Sequence, residues 1–274
     1  MKKIILFIII FFLFSQTVNA KVVSFYVSCK IPKGSLKTVK IDGIKYKKFS
    51  LKDKQKGNCS RDRMVRSGAP YWERVELLQR GKINKKKINE ITFKIKILEG
   101  MVEDREAFFQ LENLNDKRGY PSFTLKFDNT YLNIEYLKCI KCTSAKYLNL
   151  GVKSEQLRDF YIKSTNYYNK WINFKIIMSK MDNKGMGNIK TFVDGKLIFD
   201  VEVFYIKNER LKIKQDLYRP GKLSSPNKTT TILYSPIELN SYKWKKWSYL
   251  FNCFVITLFF YRQFFSNYNV DLVY

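Results

Sequence analysis

The chain has 274 residues, and its 51 lysines and arginines outnumber its 24 aspartates and glutamates, for a formal net charge of +27. Hydrophobic residues make up 45% of the chain and aromatic residues 16%, which supplies a packed core and excludes wholesale disorder. Histidine is absent, so Ser-His-Asp and Cys-His nucleophiles, His-ligated zinc and a histidine general base are excluded. The positive excess favours an acidic partner, namely nucleic acid, an anionic membrane or an acidic polysaccharide, although part of it can reflect compositional bias.

Residues 1–20 have the pattern of a secretory signal peptide. Lys2 and Lys3 form a positive start, an apolar stretch follows over 4–14, and 18–20 offer small residues for cleavage. The apolar stretch is too short for a transmembrane helix. We therefore predict a secreted or periplasmic protein, with no stable membrane span after cleavage.

The five cysteines bear on the same compartment, because thiols outside the cytosol can oxidise. Cys139 and Cys142 form a C-x-x-C motif, which is compatible with a redox motif, half of a zinc site or a local disulfide, and we favour the disulfide. Cys29 and Cys59 are candidates for a second bridge, although sequence does not fix the pairing. Cys253 is then left over.

Alternation of apolar and polar residues, typical of half-buried strands, recurs along the chain. Asp194-Gly195 supplies the left-handed backbone of a tight hairpin turn between two such stretches. The clearest predicted strands are 91–97, 122–127, 131–137, 171–178, 188–193, 196–199 and 211–218. Many short antiparallel strands predict one all-β sandwich or jelly-roll domain over 21–249.

The remaining segment, 250–274, begins as an apolar and aromatic run. The run is too short for an ordinary membrane span. It can be a core strand, an interfacial tail or an atypical C-terminus, and we assign it no function.

Two predicted strands carry polar residues at alternate positions. Arg74 and Glu76 share one strand face, as do Gln110 and Glu112. An arginine beside a carboxylate can grip a substrate carboxylate while being held in place. Taken alone, the first pattern is more typical of an ordinary ion pair on a solvated sheet face, and the second is often only polar surface.

A third strand, 211–219, places Lys212, Lys214, Asp216 and Tyr218 on one face. Ammonium groups near a phenol favour its phenolate, the form that can accept a proton. An amphipathic surface strand with a tyrosine at its rim explains the same pattern.

The order of these segments resembles the jelly-roll polysaccharide lyases of the alginate-lyase, heparin-lyase-I-like and glucuronan-lyase-like type. Arg74-Val75-Glu76-Leu77 is similar to their R-x-E-L strand, and Lys214 to Tyr218 keeps the spacing of their K-x-x-x-Y strand. Trp171 and the later Asp194-Gly195-Lys196 turn resemble their W…G…vdGk hairpin region. Gln110-Leu111-Glu112 stands in the place of their Q-x-H strand, with Glu112 where that family has histidine. The resemblance covers roughly residues 60–222.

The resemblance implies a concanavalin A-like β-jelly roll of antiparallel strands and β-elimination on a uronic-acid polysaccharide. Tyr218 would abstract the C5 proton and return a proton to the leaving O4, which a histidine-free site can do in a syn elimination. Arg74 and Gln110 would neutralise the uronate carboxylate. The substrate-binding residues would be Lys214, Lys212, Glu76 and Glu112, in a monomer without metal or cofactor.

Other functions remain open at this point. A lectin-like module could bind the same acidic polysaccharide without cutting it. A retaining glycoside hydrolase would need paired carboxylates across a cleft, and the nearest acidic cluster, 103–106, is interpreted as a turn. A nucleic-acid partner is not expected, because the chain is predicted to be exported and has no recognisable motif.

Overall fold

The computed structural model describes residues 20–63, 69–102, 105–114, 121–128, 131–142, 148–156, 164–206, 210–222 and 227–242. Within these ranges the regular structure is sixteen strands and two short 3-10 helices, Ser60–Arg63 and Ser164–Tyr167. No helix in the described ranges is long and apolar enough to cross a membrane. The strands are β1 (Lys21–Val22), β2 (Phe25–Val27), β3 (Leu36–Ile41), β4 (Ile44–Leu51), β5 (Trp72–Gln79), β6 (Ile88–Glu99), β7 (Glu106–Leu114), β8 (Phe123–Asp128), β9 (Tyr131–Cys142), β10 (Leu148–Gln156), β11 (Trp171–Met178), β12 (Met186–Val193), β13 (Lys196–Phe204), β14 (Arg210–Pro220), β15 (Thr230–Tyr234) and β16 (Glu238–Tyr242).

The strands form two antiparallel sheets, which confirms the predicted β-jelly-roll sandwich. One sheet has seven strands in the order β10-β9-β8-β7-β14-β5-β2. The other has nine, seven of them in the order β13-β12-β11-β6-β15-β4-β3, with β16 on β6 and β1 on β16. Neighbours in space are often distant in sequence, as β14 is from β5 and β7, so the sheets depend on long-range pairing.

Local sequence signals place several strands correctly. The 171–178 prediction matches β11, and Asp194 and Gly195 have φ angles of 47° and 81° in the turn between β12 and β13. Those left-handed angles are what the two-residue turn requires. The 122–127 and 131–137 predictions correspond to β8 and β9, which pair antiparallel.

The core lies between the two sheets and is rich in phenylalanine. Phe93 on the nine-stranded sheet stacks on Phe109 of the seven-stranded sheet with ring centroids 4.9 Å apart. Phe108 and Phe174 also meet across the interface, at 5.4 Å. Because successive strand residues face opposite ways, this apolar inner layer leaves a polar outer face on the seven-stranded sheet.

A buried ionic cluster ties four strands, β5, β7, β14 and β15, together on the inner side. Arg219 Nε lies 2.6 Å from Glu73 Oε2, and Arg219 Nη1 lies 2.7 Å from Glu106 Oε1 and 3.0 Å from Thr230 Oγ1. All four side chains are buried. The interpretation of 103–106 as a turn is therefore wrong for Glu106, which is the first residue of β7 and pairs with this buried arginine.

The chain divides into two units after Ser241. Residues 1–19 and 243–274 lie outside the described residues, so the signal peptide and the apolar C-terminal segment stay predictions.

Candidate functional site

The predicted site residues lie together on the outer face of the seven-stranded sheet. Strand β14 runs between β5 and β7, and antiparallel partners point to the same side. The paired positions are Tyr218 with Arg74, Asp216 with Glu76, Lys214 with Gln110, and Lys212 with Glu112. Three strands that are far apart in sequence thus bring their polar positions to one patch.

Arg74 is held by two carboxylates. Its Nη2 lies 2.9 Å from Asp62 Oδ1 and its Nη1 lies 2.9 Å from Glu76 Oε2, while the side chain keeps 13% exposure. Burial alone would lower the pKa of Arg74, but Glu76, Tyr218 and Asp62 outweigh burial and raise it. The guanidinium is therefore a fixed cation at the surface of the patch.

Asp62 reaches Arg74 because of a short helical turn and a disulfide. Cys59 is bonded to Cys29, and its N–H donates to Asp62 Oδ2 at 3.0 Å. Arg74 Nη1 lies 3.5 Å from Cys59 Sγ. Gly57 leaves the space for this arrangement, since a Cβ there would overlap the Asp62 carboxylate.

Glu76 lies between two cations. It accepts from Arg74 and from the Ser28 hydroxyl, and Lys214 Nζ lies 3.5 Å from its Oε2. Burial alone would raise the pKa of Glu76, but Lys214 and Arg74 lower it to about 2. Glu76 is also close to Cys29 and Cys59, yet the two sulfurs are bonded to each other and offer no thiolate to a metal ion.

The lysines of β14 have different surroundings. Lys214 Nζ lies 3.0 Å from Glu112 Oε2, so Lys214 joins Glu112 to Glu76. Burial alone would lower the pKa of Lys214, but the two glutamates raise it. Lys212 is buried, with its Nζ 5.1 Å from the centre of the Tyr26 ring.

Tyr218 is half-buried at the edge of this charge cluster. Its ring stacks on Trp72 with centroids 4.6 Å apart and an interplanar angle of 14°. The Arg74 guanidinium carbon lies 4.4 Å from the ring centre, so an arginine is a cation beside this phenol. A cation at that position favours the phenolate over the neutral phenol.

Two further side chains on the patch have unused hydrogen-bonding groups. Gln110 is 5% exposed, and its amide makes no hydrogen bond with the described residues. Asp216 is fully buried, and neither of its carboxylate oxygens has a hydrogen-bond partner there. Burial, more than any neighbour, raises the pKa of Asp216 well above its ordinary value.

Sequence reasoning missed Asp62, Trp72 and the burial of Asp216. Trp72 stands two residues before Arg74, so strand alternation could have placed it on the same face. Asp62 had no such signal, because its position depends on the disulfide-linked turn.

The disulfide predicted between Cys139 and Cys142 lies outside the side chains that the structure describes. Cys139 and Cys142 lie near the end of β9, but their side chains, like Cys253 as a whole, lie outside the described residues.

Comparison with known proteins gives similarity at the level of structure. No family model and no curated protein matches the sequence. An endo-β-1,4-glucuronan lyase from the fungus Trichoderma reesei superposes with a TM-score of 0.59 at 11% identity, over 79% of this chain and 90% of that one. An alginate lyase of polysaccharide lyase family 7 gives 0.48 at 13% identity, over 78% and 85%, and one from Pseudomonas aeruginosa gives 0.48 at 13%, over 72% and 82%. The first similarity supports the sandwich fold.

Proposed function

We propose that this chain is an exported lyase that cleaves a uronic-acid polysaccharide by β-elimination. The observation that carries the proposal is the Tyr218–Arg74 pair, a half-buried phenol beside a guanidinium on the outer face of the sheet. The fold shared with a glucuronan lyase supports the same class of substrate, although a fold by itself does not determine chemistry.

The reaction requires a base and a partner for the developing negative charge. Tyr218, as phenolate, takes the C5 proton of the uronate, and the carbon–oxygen bond to the O4 leaving group then breaks. The same phenol returns its proton to that oxygen, so the proton count balances in a syn elimination. General acid–base catalysis of this kind contributes about 10²–10⁴-fold in rate.

Arg74 and Gln110 are the proposed donors to the substrate carboxylate. Neutralising that carboxylate makes the C5 proton more acidic and stabilises the enediolate that forms when the proton leaves. Asp62 and Glu76 fix the orientation of the guanidinium, and the Gln110 amide has N–H groups that no described residue uses. This pre-arranged geometry favours charge stabilisation without rearrangement during the reaction.

The remaining charged residues would hold the neighbouring sugars. Lys212 and Lys214 would attract carboxylates of the polymer, while Glu112 and Glu76 keep Lys214 ionised and in place. The proposed elimination uses the side chains of one protein molecule and one polymer chain.

A lectin-like module that binds the same polymer without cutting it is the second candidate. One observation favours it: Arg74 and Lys214 are each already neutralised by two carboxylates of the protein. A binder tolerates that arrangement better than an enzyme whose cations must balance a developing charge.

Incubating the purified protein with alginate, glucuronan and glycosaminoglycans separates the two candidates. A lyase produces an unsaturated uronate at each new non-reducing end, which is followed by ultraviolet absorbance. We expect the absorbance to rise with at least one polyuronate. Binding to a polyuronate with no absorbance change on any of them would overturn the lyase proposal in favour of the lectin-like one.

A further inference from the structure

A row of lysines crosses the outer face of the nine-stranded sheet, on the far side of the sandwich from the candidate site. Lys37 pairs with Lys48, Lys48 with Leu233, Leu233 with Lys96, and Lys96 with Trp171. These five positions occupy one line across β3, β4, β15, β6 and β11. With strands about 4.8 Å apart, the line is roughly 19 Å long.

The side chains on this line point away from the core. Their sequence neighbours Phe49, Ile95 and Ile97 are fully buried, and strand alternation therefore turns Lys48 and Lys96 outward. Lys94, one step along the same face from Lys96, is exposed.

An aromatic pair lies on the same face. Tyr46 and Trp171 stack with ring centroids 4.8 Å apart and an interplanar angle of 28°, although two strands separate β4 from β11. Both rings are half-buried, so each retains accessible surface. Leu233, on the line of lysines between these strands, is only 4% exposed. We call the six residues Lys37, Lys48, Lys94, Lys96, Tyr46 and Trp171 the outer lysine face.

The lysines of the outer lysine face lack the carboxylate partners found at the candidate site. None of the four makes an ion pair with a described residue, whereas Arg74 and Lys214 make two each. Lys37 and Lys48 are moreover direct cross-strand neighbours, and like charges in that position destabilise a sheet. An anion between them would remove that repulsion.

Protection of a sheet edge explains only part of this arrangement. Lysines on edge strands prevent pairing with other chains, and β3 is an edge strand. Lys96 and Lys94, however, lie on β6, which has neighbours on both sides. Edge protection therefore does not account for these two lysines.

We propose that the outer lysine face is a second docking surface for an acidic polysaccharide, separate from the site of cleavage. The class of ligand rests on the proposed function. A flat row of unpaired ammonium groups suits a polymer that carries a carboxylate on each sugar, and exposed aromatic surface suits the apolar face of a sugar ring.

Such a surface would raise affinity for long chains more than for short ones. A polymer held at one face stays at high local concentration near the other, provided that it can reach around the sandwich. A short oligouronide occupies one face only and gains nothing from the second.

The test compares Lys37→Gln/Lys48→Gln/Lys96→Gln with a control that removes the same charge from exposed loop lysines, Lys33→Gln/Lys86→Gln/Lys184→Gln. Both are made in the whole Tyr218→Phe protein, so that cleavage of the polymer is slowed during the measurement. Retention on immobilised polyuronate is measured at low and moderate salt, with thermal melting as the check on folding.

We expect the first triple variant to bind long polyuronate about tenfold more weakly or worse, and the control to resemble its parent. Equal losses in both variants would reduce the effect to net charge and overturn the inference. Retention on single-stranded DNA or anionic vesicles in preference to polyuronate would also overturn it.

Lysine footprinting of the unmodified protein gives a result that does not depend on variants. Polyuronate should protect Lys37, Lys48 and Lys96 from acetylation, while the exposed loop residue Lys33 stays reactive. Equal acetylation of these three lysines with and without a polyuronate that the protein cleaves would contradict the second surface and leave the proposed function standing. Protection of the three outer lysines by polyuronates, none of which the protein cleaves, would support the second surface and contradict the proposed function.

Discussion

Removing the Cys29–Cys59 disulfide should both destabilise the protein and disturb the candidate site. The bond closes a loop with a sequence separation of 30 residues. In the chain-entropy description, such a loop removes about 12 cal/mol/K from the unfolded state, or about 3.6 kcal/mol at 25 °C. For a domain of this size, that corresponds to a fall in melting temperature of roughly 10 °C.

The disulfide also fixes the partners of Arg74. Cys59 donates to Asp62, and Ser28, next to Cys29, donates to Glu76. We therefore expect Cys29→Ser/Cys59→Ser to lose turnover beyond what its stability loss explains, measured well below its melting temperature.

Urea unfolding followed by tryptophan fluorescence measures the first effect, and Cys253→Ser is the control for loss of a cysteine. Adding a reductant to the wild type should reproduce the double variant. A double variant within about 1 kcal/mol of the wild type would refute the assigned role of this loop closure.

Three further substitutions test other parts of the structure. Arg219→Met leaves two buried glutamates without their cation and should lower the free energy of unfolding in urea by about 3–5 kcal/mol. The control is Arg210→Met, at an exposed position on the same strand, which should lower it little. Similar losses in the two variants would contradict the buried cluster. Asp216→Asn removes an acid whose pKa is raised by burial, and an acid raised in the folded state costs stability as pH rises above its unfolded pKa of about 3.8. Thermal melts should therefore show the variant equal to wild type near pH 4 and more stable at pH 8, and a difference that does not change with pH would count against this reasoning. Gly57→Ala should displace the Asp62 carboxylate that orients Arg74, with a loss of turnover and of about 1–3 kcal/mol in the free energy of unfolding. The control Gly81→Ala, where a Cβ has space, should change neither. A fully active Gly57→Ala variant would show that the Asp62 carboxylate is dispensable.

Strands and their faces could be predicted because they depend on local alternation. Leu211, Ile213 and Leu217 are buried in the core, and this fixes the opposite face for Lys214 and Tyr218 whatever the partner strands are. The Asp194-Gly195 turn was equally local, since it needs only two residues with left-handed angles.

Which polar groups meet across strands could not be predicted in the same way. That Tyr218 lies opposite Arg74, and Lys214 opposite Gln110, follows from register between strands more than 100 residues apart. The burial of Asp216 depends on the surroundings that its neighbours create, and sequence carries no local sign of it.

The rate at which Tyr218→Phe forms unsaturated uronate decides whether Tyr218 transfers the proton. The phenylalanine ring can keep its stacking on Trp72 and its contact with Arg74, while the proton-transferring oxygen is lost. With a polyuronate that the wild type cleaves, we expect a rate lower by about 10²–10⁴-fold and little change in binding. A Tyr218→Phe variant that cleaves at a rate close to the wild type would contradict proton transfer by Tyr218.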